Sequence, residues 1–310
     1  MRTLICGSMA YDTIMVFHDQ FKNHILPDKI HILNVAFLVP DMRREFGGCA
    51  GNIAYNMKLL GGEPVIMATV GDDFAPYAER LKAQGFDASL IHRVANTFTA
   101  QAFITTDLDD NQITAFHPGA MNYSHQNKVS LAEGIKLGIV SPDGRQGMIE
   151  HARQFAEAGI PFIFDPGQGL PMFNGEELLD FVRQAEYLTC NDYEAQLLRE
   201  RTGLSLEQLA KQVRALVVTL GGEGSRIYAD GQTHAIPAAL ASEVVDPTGC
   251  GDAYRAGLMT GMHRGMDWPT CGRLAGLLGA IKIAHRGGQN HRFDWNEIAE
   301  RFKGEYGYSL

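Results

Sequence analysis

Short apolar runs alternate with amphipathic stretches along most of this chain, and that alternation limits its fold more than any other property of the sequence. The runs Thr3–Cys6, Val65–Val70, Gly138–Ser141, Pro161–Asp165, Tyr187–Cys190 and Ala215–Leu220 have the length and composition of strands. Helices are predicted at Asn52–Leu60, Ala75–Gln84, Gln146–Ala158, Glu176–Gln184, Asp192–Arg201 and Leu206–Val213. In the first of these, Ile53, Met57 and Leu60 recur at helical spacing. Apolar strands separated by helices predict a mostly parallel sheet covered on both faces. Ligands of such sheets sit beyond the carboxyl ends of the strands, so Asp165, Asn191 and Gly221-Gly222 are expected around one crevice.

Two regions break the alternation. Residues 13–21 and 31–39 read as strands with no helix between them. So do residues 99–106 and 112–117, joined by the turn-rich Asp107-Leu108-Asp109-Asp110-Asn111. Four such strands predict a small second sheet. With 310 residues, the chain can bury a large core as one domain with an appendage. Apolar residues make up 45% and charged residues 20%, a globular composition. The net charge of -9, with no Lys/Arg-dense stretch, argues against nucleic-acid or membrane-surface binding. A small anion remains allowed, because backbone N–H groups supply local positive potential. No apolar run reaches membrane-spanning length, and the first residues read as a strand without a leader's cleavage pattern. The five cysteines, Cys6, Cys49, Cys190, Cys250 and Cys271, lie at no metal-ligand spacing. A reducing, cytoplasmic location is therefore expected.

The densest chemistry lies in Val245-Asp246-Pro247-Thr248-Gly249-Cys250-Gly251-Asp252. An apolar strand tail, Glu243-Val244-Val245, runs into a glycine turn and then a helix, Ala253–Met259. Glycines at a helix start let backbone N–H groups approach an anion. A carboxylate there would repel a phosphate, and Asp252 makes sense as the acceptor of a proton from a hydroxyl that attacks one. Cys250 reads as a small residue that fits the turn, or else as a reactive thiol. Other phosphate grips are missing: there is no Gly-Lys-Ser/Thr, and Tyr254 stands where a dinucleotide fold would place its third glycine.

Asp246-x-Thr248-Gly249-x-Gly251-Asp252 resembles the C-terminal signature of the ribokinase-like (PfkB) carbohydrate and nucleoside kinases. The likeness runs from about Thr3 to about Gln289. It implies a three-layer α/β/α core with a mostly parallel central sheet (1–12, 40–98 and 118–310) and a small β-sheet lid (13–39 and 99–117). It further implies Asp252 as the base and the N–H groups of Gly249, Cys250 and Gly251 as an anion hole. Asp12, after the first strand, matches the acid that grips sugar hydroxyls. Gly47, Gly48 and Asn52, in Phe46-Gly47-Gly48-Cys49-Ala50-Gly51-Asn52, match the family's N-terminal signature at the sugar. Asn191-Asp192-Tyr193-Glu194 resembles the motif in which Asn191 lies near the nucleotide phosphates and Glu194 holds Mg²⁺ through water. Read without the resemblance, the same residues make a helix cap with a first-turn acid. Thr219, Gly221, Gly222 and Gly224 are similar to the nucleotide loop, or else form a plain turn before a hairpin at Arg226–Ala229. Arg286-Gly287-Gly288-Gln289 resembles the loop over adenine that, with Asp246, helps bind a monovalent cation, K⁺, in several members.

The implied activity is ATP-dependent phosphorylation of an alcohol. Ala10 stands where ribokinases carry an asparagine, and a small apolar residue suits a bulkier ligand. Phe103 and Phe116 could stack on a base or pack in the lid. Phe116-His117-Pro118-Gly119-Ala120-Met121 and the two glycine segments resemble bacterial adenosine and nucleoside kinases. The expectation is the 5′-hydroxyl of a ribonucleoside, adenosine first and other purines next. A sugar kinase of the ribose or fructose type and a non-catalytic nucleotide sensor stand as alternatives. A homodimer through the lid is implied by resemblance alone.

Overall fold

The computed structural model describes residues 2–25, 34–109 and 111–310. Its main sheet has the order β13-β12-β11-β10-β9-β8-β1-β4-β5. These strands are β1 (Arg2–Cys6), β4 (Glu63–Val70), β5 (Ile91–Arg93), β8 (Ile135–Val140), β9 (Phe162–Phe164), β10 (Tyr187–Asn191), β11 (Ala215–Thr219), β12 (Ser225–Ala229) and β13 (Gln232–Ile236). All pair in parallel except the last two, which form an antiparallel edge hairpin. Its two-residue turn, Asp230-Gly231, has both residues at positive φ (53° and 73°), as a tight hairpin requires.

Alternate residues of each strand enter opposite layers. From β1, Leu4 and Cys6 face one core, with α3 (Arg145–Glu157), α4 (Gly175–Gln184), α5 (Asp192–Thr202) and α6 (Leu206–Ala210). Ile5 faces the other, with α1 (Cys49–Leu59), α2 (Ala75–Ala83), α7 (Cys250–His263), α8 (Trp268–Ile283) and α9 (Trp295–Tyr306). Each large side chain buried this way contributes about 1.5–3 kcal/mol. Phe164 and Phe181, stacked at 4.3 Å between centroids, show how closely β9 and α4 meet. The chain reverses direction across the sheet at β1, whose neighbours are β8 and β4. A crevice opens at such a switch point beyond the carboxyl ends.

A second sheet has the order β3-β2-β6-β7, with β2 (Ala10–Val16), β3 (Asp41–Gly47), β6 (Ala100–Thr106) and β7 (Gln112–His117). Its last two strands match the sequence reading; the first two correct it. Strand β2 starts at Ala10, so Asp12 lies inside a strand and not in a turn. The partner strand is Asp41–Gly47, not 31–39: residues 34–39 carry no regular structure, and 31–33 lie outside the described residues. Arg43, Arg44 and Glu45 hid this strand, because an edge strand tolerates charges that apolar counting reads as loop.

Glu243-Val244-Val245 is not a strand either. It runs as coil, with Val244 79% exposed, and finds no sheet edge to pair with. Helix α8 has no counterpart among the predicted segments, because it is apolar nearly all round and shows no amphipathic stripe.

Candidate active site

Glycine 249 ends the Asp246–Gly249 turn in the left-handed region (φ 77°) and caps α7. A Cβ there would stand 3.2 Å from the Cα of Gly288 and 3.4 Å from Nδ2 of Asn52. Only glycine meets both demands. No backbone carbonyl of the described residues accepts from the N–H groups of Gly249, Gly251 or Asp252. They are the orphan donors of a helix start. The Cys250 N–H, expected among them, instead donates to Pro247 O at 3.1 Å and closes the turn. Burial pushes the Cys250 thiol up to about 11, which favours the protonated thiol at neutral pH and the reading of Cys250 as a small residue that fits the turn.

Asp252 lies in the first turn of α7. Its Oδ2 accepts from Asn52 Nδ2 at 2.9 Å. Burial pushes this carboxyl up to about 6, against the hydrogen bond from Asn52 and the nearby Arg255 guanidinium, and Asp165 adds to the rise. Arg255 itself is buried and makes a two-pronged pair with Asp165 at 2.9 and 2.7 Å. It also donates to Gly251 O at 3.3 Å. Asp165, expected around the crevice, is committed to an ion pair that ties the segment after β9 to the glycine turn.

Asp12 faces Asp252 from the small sheet. Burial, then the charges of Asp252, Asp246 and Glu45, push Asp12 up to about 6. The Gly47 backbone lies against it, since a Cβ on Gly47 would stand 3.0 Å from Asp12 Cγ. Gly48 (φ 87°) caps α1, and a side chain there would run into the backbone of Ser8–Ala10. Two acids, both raised by burial, and a glycine-lined floor therefore lie close together. Such a site can bind hydroxyls and remove a proton from one of them.

Asn52 is held more firmly than its motif suggests. Its Oδ1 accepts from Gln289 Nε2 at 3.1 Å, which fixes the amide so that Nδ2 points at Asp252. Gln289 Nε2 also donates to Tyr77 Oη at 2.5 Å, and Tyr77 donates to Gly47 O at 3.0 Å. Arg80 donates to the Gln289 carbonyl at 2.5 Å. Sequence reading missed Tyr77 and Arg80, which sit in an ordinary helix pattern far from any motif.

Phe103 and Phe116 fall on different faces of the small sheet. Strand register pairs Asp12 with Ala102 and Ala102 with Phe116, so Phe116 shares the Asp12 face. Phe103 pairs with Thr13 and Ala115 and lies on the opposite face. Phe103 is therefore no substrate contact within this chain, because side chains alternate along a strand.

At the carboxyl ends of β10 and β11, Asn191 and Thr219 are register partners. Asn191 caps α5: its Oδ1 accepts from Glu194 N at 2.7 Å, and its N–H donates to Glu194 Oε2 at 2.8 Å. Asn191 Nδ2 donates to Glu194 Oε1 at 3.1 Å. Burial raises the Glu194 carboxyl, and Asp165 adds to it. With both oxygens engaged, Glu194 fits Mg²⁺ only through water. Magnesium accepts such a site, since it keeps waters and takes substrate phosphates. Gly221 and Gly222 border open space, whereas Gly224 does not: a side chain there would strike the backbone of Ile236–Ala238. Gly224 is closed in by the end of the hairpin, unlike Gly221 and Gly222.

Asp246 does not make a site for K⁺. Its carboxylate accepts from the N–H groups of Thr248 (2.9 Å) and Gly287 (2.8 Å). Its carbonyl accepts from the ammonium of Lys282 at 2.7 Å. Burial opposes ionisation of Asp246, but those N–H donors and Lys282 hold its carboxyl below the usual range.

The model of the pfkB family of carbohydrate kinases matches residues 9–295. The chain is similar to a nucleoside kinase of Burkholderia thailandensis, whose structure in complex with inosine is 52% identical, with a TM-score of 0.91 and 99% of each chain covered. The same protein in complex with ADP-inosine gives 54% identity and a TM-score of 0.89 over 99% of this chain and 97% of that one. A nucleoside kinase of Methanothermobacter thermautotrophicus is 33% identical over 96% of this chain and 97% of its own length. By its motifs, its two sheets and these likenesses, this chain belongs to the pfkB family of carbohydrate kinases.

Proposed function

We propose that this protein is an ATP-dependent nucleoside kinase that transfers the γ-phosphate to the 5′-hydroxyl of a purine ribonucleoside. One observation carries the reading: the Asp252 carboxylate stands beside unbonded N–H groups at the start of α7, across from Asp12. The complexes of the Burkholderia thailandensis enzyme with inosine and with ADP-inosine support a nucleoside over a free sugar. Adenosine and inosine are both candidates.

In this mechanism Asp12 binds the ribose hydroxyls and orients the sugar over Gly47-Gly48. Asp252 accepts the proton of the 5′-hydroxyl as its oxygen bonds to the γ-phosphorus, the bond from that phosphorus to the β-phosphate oxygen breaks, and ADP leaves. The N–H groups of Gly249 and Gly251 hold the equatorial oxygens of the group in flight. Glu194 would hold Mg²⁺ through water, and the ion would supply neutralisation of phosphate charge. Positioning and neutralisation supply most of the rate in such transfers. Closing of the small sheet over the sugar would exclude water and suppress ATP hydrolysis.

The outward face of that sheet carries Met42, Phe103 and Ile113, 70%, 40% and 44% exposed. This apolar face suits a homodimer through the lid. Among the described residues no helix is long and apolar enough to cross a membrane, and the five thiols are unpaired. Both support a cytoplasmic enzyme.

A coupled ATP-consumption assay with adenosine, inosine, cytidine, ribose and fructose tests the reading. Turnover of the purine nucleosides above the sugars is expected. Turnover of ribose or fructose alone would move the assignment to a sugar kinase, and none at all would favour a nucleotide sensor.

A further inference from the structure

Lys282 is fully buried near the end of α8, a rare place for a lysine without a carboxylate pair. Its ammonium donates to two backbone carbonyls, Asp246 O at 2.7 Å and His285 O at 2.9 Å. Those carbonyls belong to two different segments. One leads into the Asp246–Gly249 turn, and the other into the loop that holds Gly287, Gly288 and Gln289. The segments meet at Asn52, which both Gly249 and Gly288 approach. Further bonds run alongside: Val245 N and Asp246 N donate to Ile283 O at 2.9 and 3.0 Å, and Gly287 N donates to Asp246 Oδ2.

A compact positive charge ringed by backbone carbonyls is what a monovalent cation makes of a loop. We propose that the Lys282 ammonium is a tethered replacement for such a cation: it clamps the phosphate-receiving turn to the 285–289 loop and makes turnover independent of K⁺ or Na⁺. A dissociable ion needs millimolar salt to stay bound, whereas a side chain on α8 is always at hand. The proposal rests on the kinase reading given above.

The test begins with protein exchanged into buffer whose only salt is choline chloride. Nucleoside turnover is then measured with and without KCl or NaCl at constant ionic strength. Wild-type turnover is expected to stay within about twofold, while Lys282→Met, with a loosened turn, loses on the order of 10²-fold. KCl or NH₄Cl is expected to restore part of that loss. The same salts should raise the melting temperature of Lys282→Met and leave the wild type unmoved, a readout that needs no catalysis.

Strong activation of the wild type by KCl would overturn the clamp and leave the kinase reading standing. A folded Lys282→Met with full turnover in choline would overturn it too, as would one whose turnover and melting temperature ignore KCl and NH₄Cl. If Lys282→Met does not fold, the wild-type salt response alone decides. No turnover by the wild type with any nucleoside in any salt would sink the kinase reading, and the melting experiment would still judge the clamp.

Discussion

Two helices of this molecule carry an acid in their first turn and use it in opposite ways. In α5 the acid is Glu194. It closes a capping box with Asn191, each satisfying the other's backbone N–H. In α7 the acid is Asp252, and it caps nothing. Its carboxylate is turned toward Asn52, and the N–H groups around it stay open. A cap consumes the donors of a helix end; a site leaves them free and holds its acid with outside help. That help comes from Asn52, Gln289 and Tyr77, which reach the α7 terminus from three other parts of the chain.

The contrast is broken most severely at Asp252. Asp252→Asn is expected to lose roughly 10²–10⁴-fold in kcat, with KM for the nucleoside little changed. Its stability should move the other way. The folded-state pKa of about 6 lies above the usual value, so the stabilising form is the protonated one. That stability is lost as pH rises through about 6. At neutral pH the asparagine variant should therefore melt at or above the wild-type temperature. A large fall in melting temperature, or near-normal kcat, would reclassify Asp252 as structural.

A smaller effect is expected at Gln289. Wild-type kcat/KM should fall as pH drops through about 6, because the base works only when ionised. Gln289→Leu frees the Asn52 amide to turn its oxygen toward Asp252. Turnover should drop about 10–100-fold, as for other orienting partners. The acidic limb should also move to higher pH, since a lost donor no longer favours the anion. A uniform loss with an unshifted pH profile would mean that Gln289 only packs.

The smallest effects sharpen the α5 side. Asn191→Ala removes the cap and should cost about 0.5–2 kcal/mol in urea unfolding. Glu194→Gln keeps the box, because glutamine serves at that position. Its unfolding midpoint should hold while the Mg²⁺ concentration for half-maximal turnover rises. Equal Mg²⁺ dependence in Glu194→Gln and wild type would leave Glu194 as a cap alone.

The parallel core was legible because its strands are apolar, short and separated by helices of matching period. The Asp252 turn was legible because its glycines and acid are contiguous. What escaped has a common physical cause: it depends on residues brought together across the fold. Tyr77 and Arg80 lie on α2 yet act on Gln289, more than two hundred residues away in sequence. Lys282 offered one signal, a cation inside the apolar run Ala280-Ile281-Lys282-Ile283-Ala284, but not its partners. Phe103 and Phe116 looked equivalent until the register of β6 against β7 set them on opposite faces. Asp165 was expected at the crevice, but nothing near it in sequence pointed to its partner Arg255, 90 residues on.

The Asp165–Arg255 pair also bears on the charge of the crevice. Asp12, Asp165, Glu194, Asp246 and Asp252 converge there, and among the described residues Arg255 and Lys282 act on them as nearby cations. Both cations are already spoken for by neighbours, so neither greets an arriving polyanion. A bare triphosphate would climb an uphill field to enter, whereas an uncharged nucleoside would feel no such barrier. The cleft thus screens its visitors by charge before any shape is read.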